Sequence, residues 1–375
     1  MARRRMSKPA GIPSIENRVE SWKAFYRREN ERKLLGFFYG SEYPAKRYRS
    51  ALTLPEDRPL EPDDFPIESY LDDFDRLHEE MEAFPGDFIY SASAFWGIPW
   101  LEAALGCPVR VSHATGSLYA VTPSGKDGEG STGLKELPPF DPRNPWLVKL
   151  VEFLQAAAGR SAGRYPLATT RMRGVADLLS ALYGGENLVY RMMDKPEEIR
   201  EASGRLADFY IKVGRLQLEY IPPFSGGIGS FYYHAWAPEG TVWHQEDSCM
   251  LLSPELYDDF IKDSDRKIFS AFRGNIMHFH STGGYLPLDE VLALRPTAVE
   301  LHIDSGGPSA EALFETHRKI LANAPLIIWG ALTGEDFDWI FNKLPDRGVA
   351  VNAVVADSGE AEGLWNRYVE KRGSR

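Results

Sequence analysis

Strand-like and helix-like segments alternate regularly over the last hundred residues, and this alternation constrains the fold most. The predicted strands are residues 275–280, 298–304, 326–329 and 349–355, and the helices predicted after them are 287–294, 309–323, 335–344 and 361–371. Strands that alternate with helices of about 10–15 residues are typical of parallel βαβ units. The carboxyl half of the chain is therefore predicted to form a parallel sheet covered by helices.

The first part of the chain adds further predicted strands at residues 34–39, 88–91, 165–171 and 227–234. Helices are predicted at 146–158, 174–183, 196–220 and 253–272, where Pro196 and the Ser253-Pro254 pair are typical helix starts. Together these segments predict a single α/β unit, a (β/α)8 TIM barrel with an N-terminal helical extension, over residues 15–372. Residues 1–14 are predicted to be a disordered basic tail. The alternative is an open doubly wound sheet, but no strand is followed by the G-x-G-x-x-G loop of a dinucleotide site.

Charge and cysteine content exclude several classes of protein. The chain carries 43 Lys and Arg against 54 Asp and Glu, a formal net charge of −11, which argues against nucleic-acid binding through bulk charge. No apolar run approaches the ~18 residues of a membrane span, and no apolar segment of a secretory signal follows the basic start. Cys107 and Cys249 cannot supply a disulfide framework, so we expect a reducing compartment and a cytoplasmic location. The sequence leaves the oligomeric state open.

Active sites of parallel barrels lie at the carboxyl ends of the strands, and this rule selects candidate residues. Arg171 and Arg173 follow a predicted strand and could hold an anionic substrate, or could pair with neighbouring carboxylates. The candidate substrate-binding residues are Tyr39, Arg171, Arg173, Tyr233 and Trp329.

Two histidines, His278 and His280, alternate along one predicted strand and should therefore point to the same face. The next strand carries His302 and Asp304 in the same alternation. Because consecutive strands are usually neighbours, these four side chains are expected to meet at one barrel mouth. They could hold zinc or another divalent metal, or could bond to one another and to a substrate without a metal.

A carboxylate pair, Glu246-Asp247, precedes a predicted helix. It could act as a general base, as a cation clamp or as a capping network. The candidate catalytic residues are His234, Glu246, Asp247, His280 and His302.

Several stretches in order resemble the uroporphyrinogen decarboxylase superfamily over roughly residues 15–370. Residues 253–260, preceded by Glu246-Asp247, are similar to one family segment, and residues 280–283 are similar to the family's H-x-C-G segment. Residues 104–109 and 178–196 also fit in order and spacing. The resemblance implies a (β/α)8 barrel and one of two chemistries. These are decarboxylation of uroporphyrinogen without a cofactor, and methyl transfer between corrinoid carriers and thiols with a zinc held by His and Cys.

The sequence departs from both patterns of the family. The arginine pair of the decarboxylases is not reproduced at residues 39–43, and their catalytic Asp and Tyr fall near Ala92 and Met172. His280 keeps the position of the zinc histidine, but Thr282 replaces the cysteine two residues later, and no late cysteine stands near 354–356. A metal site would therefore be relocated to His278, His280, His302 and Asp304.

These comparisons lead to one main hypothesis and two alternatives. The main hypothesis is a divergent enzyme near the corrinoid-linked methyltransferase branch, which acts on a small molecule and has a corrinoid protein as its expected partner. The first alternative is a cofactor-free decarboxylase of a carboxylated substrate, with Arg47, Arg171 or Arg173 as anion clamp. The second alternative is a non-catalytic barrel that binds a corrinoid or tetrapyrrole.

Overall fold

The structure is a computed structural model that describes residues 13–123, 137–230, 234–283 and 285–373. The described residues contain ten strands. They are β1 (Leu34–Tyr39), β2 (Val109–Ser112), β3 (Ser117–Ala120), β4 (Gly227–Ser230), β5 (Ala235–Pro238), β6 (Thr241–Gln245), β7 (Gly274–His280), β8 (Ala298–Ile303), β9 (Leu326–Gly330) and β10 (Val349–Val355). Six of them form one parallel sheet in the order β1-β10-β9-β8-β7-β6. The prediction of an α/β fold with a parallel sheet is thereby confirmed.

The predicted helices are present, mostly with shifts of a few residues. The helices of the described residues are α1 (Ile15–Tyr26), α2 (Pro44–Arg47), α3 (Ile67–Glu82), α4 (Trp100–Ala104), α5 (Pro145–Ser161), α6 (Val175–Tyr183), α7 (Gly185–Asp194), α8 (Pro196–Tyr220), α9 (Pro254–Phe260), α10 (Lys262–Ala271), α11 (Leu288–Ala293), α12 (Phe314–Asn323), α13 (Gly334–Lys343) and α14 (Ser358–Gly373). Of these, α2, α3 and α7 were not predicted. The single helix predicted at 253–272 is interrupted at Ile261 and becomes α9 and α10. Among the described helices, none combines the length and the apolar character that a membrane crossing requires. Helix α1 supplies the predicted N-terminal helix, and most of the predicted tail lies outside the described residues.

One predicted strand occupies a different place in the structure. The segment predicted at 227–234 forms β4, which pairs antiparallel with β5 and does not join the parallel sheet. Ser225 and Gly226 just before it have positive φ angles, so the chain turns sharply there. The sixth strand of the parallel sheet is instead β6, which was not predicted. It is only five residues long, and its buried His244 and Gln245 hide its apolar character.

The predicted strands at 88–91 and 165–171 are extended segments that join their neighbours through few backbone contacts. The amide of Asp87 donates to the carbonyl of Leu35 in β1 at 2.8 Å. Ala92 and Leu167 form a parallel bridge, and Arg173 forms another with Gln245 of β6. The two segments therefore contact each other and both edge strands of the six-stranded sheet.

Alternation along the parallel strands separates an apolar face packed against helices from an opposite face that carries both polar and apolar side chains. In β7, Met277 and Phe279 pack into the apolar layer that includes side chains of α11–α14, and in β8 Leu301 does the same. The residues between them, among which are His278 and Glu300, face the opposite side. Strand alternation thus places the histidines of β7 and β8 on the face of the sheet opposite helices α11–α14.

Candidate active site

A cavity of about 330 Å³ lies at the carboxyl ends of the parallel strands. Its walls combine aromatic rings with ionisable side chains. The lining residues include Glu42, Tyr43, Trp96, Arg171, Trp243, Gln245, Asp247, His278, His280, His302, Asp304 and Trp329. The cavity has the position expected for the active site of a parallel α/β protein and the size of a small-molecule site.

His278 is held by a buried carboxylate on the neighbouring strand. His278 and Glu300 are register partners of β7 and β8, and Nδ1 of His278 hydrogen-bonds to Glu300 Oε2. Nε2 of His278 lies 4.0 Å from Oδ1 of Asp247. Burial, reinforced by the charge of His280, holds the pKa of His278 well below its ordinary value. The structure therefore presents a neutral imidazole with Nε2 directed towards Asp247.

His280 forms a second histidine–carboxylate pair one step further along β7. Its Nδ1 lies 2.6 Å from Oδ1 of Asp304, and its Nε2 lies 3.8 Å from Oδ2 of Asp247. Burial opposes the charged imidazole, but Asp304 and Asp247 outweigh burial and raise the pKa of His280 to about 9. Ser281 and Thr282 fix Asp304, since both hydroxyl groups and the amide of Thr282 donate to its Oδ2.

His302 closes the cluster from β8. Its Nε2 lies 3.5 Å from Oε2 of Glu42, and its Nδ1 lies 3.4 Å from Oδ1 of Asp304. The ring of Trp329 covers the imidazole, with 4.2 Å between ring centroids. Three imidazoles from two adjacent strands thus meet at one end of the sheet.

Two groups of possible metal ligands share His280. One consists of Asp247, His278 and His280, and the other of His280, His302 and Asp304; within each, the ligand atoms lie within 4.8 Å of one another. Imidazole nitrogens and carboxylate oxygens suit zinc and similar divalent ions. Each group offers donors that suit a divalent metal, but the four ligands predicted from the sequence are divided between them, with His278 in the first group and His302 and Asp304 in the second.

Glu246 lies outside the cavity, although its neighbour Asp247 lines it. The carboxylate of Glu246 accepts the amides of Val175 at 2.6 Å and Ala176 at 2.8 Å, at the start of α6. Burial, together with the charge of Asp177, raises the pKa of Glu246 to about 8. Of the roles considered for the pair, helix capping describes the contacts of Glu246, while Asp247 faces the histidines.

Other predicted site residues lie away from the cavity. His234, at a φ of 58°, is buried between the rings of Phe38 and Tyr90, and its Nε2 lies 3.2 Å from the guanidinium of Arg47. Burial, with the charge of Arg47, holds the pKa of His234 well below its ordinary value. Tyr39 packs on Phe84 on the helix-facing side of the sheet.

The two predicted arginines have different surroundings. Arg173 pairs with Asp177 at 3.1 Å and with Glu102 at 3.2 Å, and its side chain does not line the cavity. Arg171 does line the cavity, as does Trp329. Tyr233 lies outside the described residues.

Sequence reasoning missed Trp243 and Gln245 as cavity residues. Both belong to β6, and their period of two would have placed them on one face had that strand been recognised. Gln245 donates to Asp247, and Trp243 lies beside His278 with 5.1 Å between ring centroids. Glu300 alternates with His302 and Asp304 on one face of its strand, but the sequence did not assign it a role, and the structure makes it the partner of His278.

Comparison with known proteins gives a likeness in fold only. No family model matches the sequence, and no curated protein is similar to it. Among solved structures, a methyltransferase from Methanosarcina mazei is similar, with a TM-score of 0.59 and 11% sequence identity. The likeness covers 95% of this chain and 98% of the other. The chain therefore has the fold of that methyltransferase over nearly its whole length.

Proposed function

We propose that the chain is a methyltransferase, a divergent member of the uroporphyrinogen decarboxylase superfamily, with its active site in the strand-end cavity. The observation that carries the proposal is the convergence of His278, His280 and His302 with Asp247 and Asp304 at that cavity. The similar fold of a methyltransferase supports it. The expected reactants are a small molecule and a corrinoid carried by a partner protein, in the cytoplasm.

The fold we propose for this function is a closed (β/α)8 barrel. The six-stranded sheet supplies six of the strands, and the extended segments at 88–91 and 165–171 supply the other two. Backbone contacts from Asp87 to β1 and from Arg173 to β6 support closure. Closure would place all the cavity residues around one mouth.

A divalent metal would be held by His280, His302 and Asp304, whose ligand atoms lie within 4.8 Å of one another, together with His278, whose ring lies 4.6 Å from that of His280. Such an ion would supply Lewis acidity and lower the pKa of a thiol or water bound beside it. The chain's own residues orient and enclose the site. Glu300 and Asp304 fix the ring orientations of His278 and His280, and Trp243 and Trp329 form apolar walls against water.

In the proposed reaction a methyl group leaves the corrinoid cobalt for a thiol sulfur. The sulfur lone pair would form the sulfur–carbon bond, the electron pair of the cobalt–carbon bond would stay with the cobalt as Co(III) becomes Co(I), and the thiol must lose its proton. Asp247 faces Nε2 of both His278 and His280, so this carboxylate is placed to receive the proton.

A decarboxylase is the second candidate, and the position of Arg171 favours it. This arginine is a cavity residue that carries a fixed positive charge, and it could hold a substrate carboxylate. The enzyme would then need no cofactor. The absence of an arginine pair like that of the family's decarboxylases makes methyl transfer the better-supported proposal.

An end-point assay separates the two reactions. Purified protein loaded with zinc is incubated with methylcobalamin and 2-mercaptoethanol, and the methyl thioether is quantified by mass spectrometry. A parallel reaction with uroporphyrinogen measures released CO2. Thioether formation above the protein-free rate supports methyl transfer. Release of CO2 without thioether formation would contradict methyl transfer and support decarboxylation.

A further inference from the structure

A second cluster of possible ligands lies on the opposite side of β6 from the cavity. It consists of His244 in β6, Glu246 just after it and Asp265 in α10, all of them at most 2% exposed. Nε2 of His244 lies 3.4 Å from Oε1 of Glu246 and 3.6 Å from Oδ1 of Asp265. All three ligand atoms lie within 4.8 Å of one another.

The contact between His244 and Glu246 has the length of a long hydrogen bond, and both separations also suit two ligands of a common ion. A hydrogen bond between an imidazole and a carboxylate is about 2.7–3.2 Å long. Zinc bonds to nitrogen and oxygen are about 2.0–2.2 Å, so two ligands of a tetrahedral ion stand about 3.3–3.6 Å apart. Both distances from His244 Nε2, 3.4 Å and 3.6 Å, fall within this range of ligand separations.

One oxygen of Asp265 gives a second, independent argument for a cation. Oδ2 accepts the Tyr257 hydroxyl at 2.7 Å, but Oδ1 is buried, lies towards His244 and has no hydrogen-bond donor. A buried carboxyl oxygen without a hydrogen-bond donor is costly. A cation between Oδ1 and His244 Nε2 would satisfy it.

The local charge balance leads to the same conclusion. Glu246 and Asp265 place two carboxyl groups in a fully buried space, where burial raises the pKa of both, and a cation would take the place of their protons. Arg173 is already paired with Asp177 and Glu102. A divalent cation would neutralise the two carboxylates, while neutral His244 would add its nitrogen lone pair.

We infer that His244, Glu246 and Asp265 form a second, buried metal site for a structural zinc ion, separate from the cavity. Glu246 also binds the first amides of α6, and Asp265 belongs to α10. The ion therefore joins β6, α6 and α10 directly behind Asp247. The inference does not depend on the proposed methyl transfer, because none of these three residues lines the cavity.

Metal analysis of variants tests the site apart from the cavity. We compare His280→Ala, which removes the residue shared by both cavity ligand groups, with the double variant His280→Ala/Asp265→Asn. Both proteins are expressed with added zinc and passed over a chelating resin that removes weakly bound metal. Their metal content is then measured by mass spectrometry. His280→Ala should retain about one zinc per chain against the chelator, and the double variant should retain none. His280→Ala/Asp263→Asn is the matched control, because Asp263 lies in the same helix with its side chain 90% exposed, and it should retain the ion.

Two results would overturn the inference. One is the absence of zinc from His280→Ala after expression with zinc, and the other is an unchanged zinc content after Asp265→Asn. If Asp265→Asn fails to fold, Co²⁺ replaces zinc in the His280→Ala background. Visible absorption typical of tetrahedral Co²⁺ supports the site, and its absence contradicts it. Loss of methyl transfer would leave these metal contents unaffected, so the two proposals fail separately.

Discussion

Replacing Glu300 by Gln probes how the cavity orients His278. Glu300 is fully buried and accepts from Nδ1 of His278, which leaves Nε2 directed towards Asp247. Glutamine keeps the size of the side chain but removes its charge, so the imidazole loses a strong acceptor and becomes a weaker ligand. Loss of such a partner typically costs 10–100-fold in metal affinity or activity, equivalent to about 1.4–2.7 kcal/mol.

The assay is a zinc titration in competition with a chromophoric chelator, followed by the rate of thioether formation. Glu300→Gln is expected to weaken zinc binding at the cavity and to slow methyl transfer by at least about tenfold. Glu311→Gln, at an exposed position after β8, is the control and should behave as the wild type. Zinc affinity and rate within twofold of the wild type for Glu300→Gln would refute the role given to this carboxylate.

Three further changes test the fold. Both ring nitrogens of His317 are buried without hydrogen-bond partners, and burial lowers the pKa of this histidine to about 4. Below about pH 6.5 the imidazole is therefore protonated in the unfolded chain but still neutral in the native state. The free energy of unfolding should fall by up to about 3 kcal/mol as pH drops towards 4. His317→Leu should reduce this pH dependence in urea denaturation, and an unchanged slope would contradict the assignment. Arg173→Met leaves the buried carboxylates of Glu102 and Asp177 without the guanidinium that pairs with them. The free energy of unfolding measured in urea should fall by about 3–5 kcal/mol, and a fall of less than about 1 kcal/mol would contradict this role of Arg173. Thr333→Ala removes half of the capping box of α13 and should cost about 1 kcal/mol in thermal unfolding, whereas an unchanged melting temperature would show that the cap contributes nothing.

Local periodicity carried most of the information about the fold. Strands β7 to β10 and the helices after them were predicted from their apolar patterns, because β7, β8 and β10 have six or seven residues and the five residues of β9 include no charged or hydrogen-bonding side chain except the Trp329 indole. The same alternation predicts that His278 and His280 share a face, which is how the structure places them. Strand β6 has only five residues, two of them polar and buried, so its period could not be recognised.

The rest of the site depends on contacts between distant parts of the chain. Nothing local shows that Glu246 binds the amides of α6, since Val175 lies 71 residues earlier. Likewise, His234 ends a predicted strand, but a positive φ turns it away from the cavity and against Arg47. Such outcomes depend on tertiary packing, which a single sequence does not specify.

The central claim is that methyl transfer takes place at the three-histidine cavity. The most direct measurement is the initial rate of thioether formation from ¹³C-methylcobalamin and 2-mercaptoethanol, with zinc-loaded wild type and His280→Ala side by side. The account predicts a rate above the protein-free reaction for the wild type and its loss in His280→Ala, while Glu311→Gln, at an exposed position that does not line the cavity, retains it. Equal rates with and without the wild-type protein, or an unchanged rate in His280→Ala, would contradict the claim.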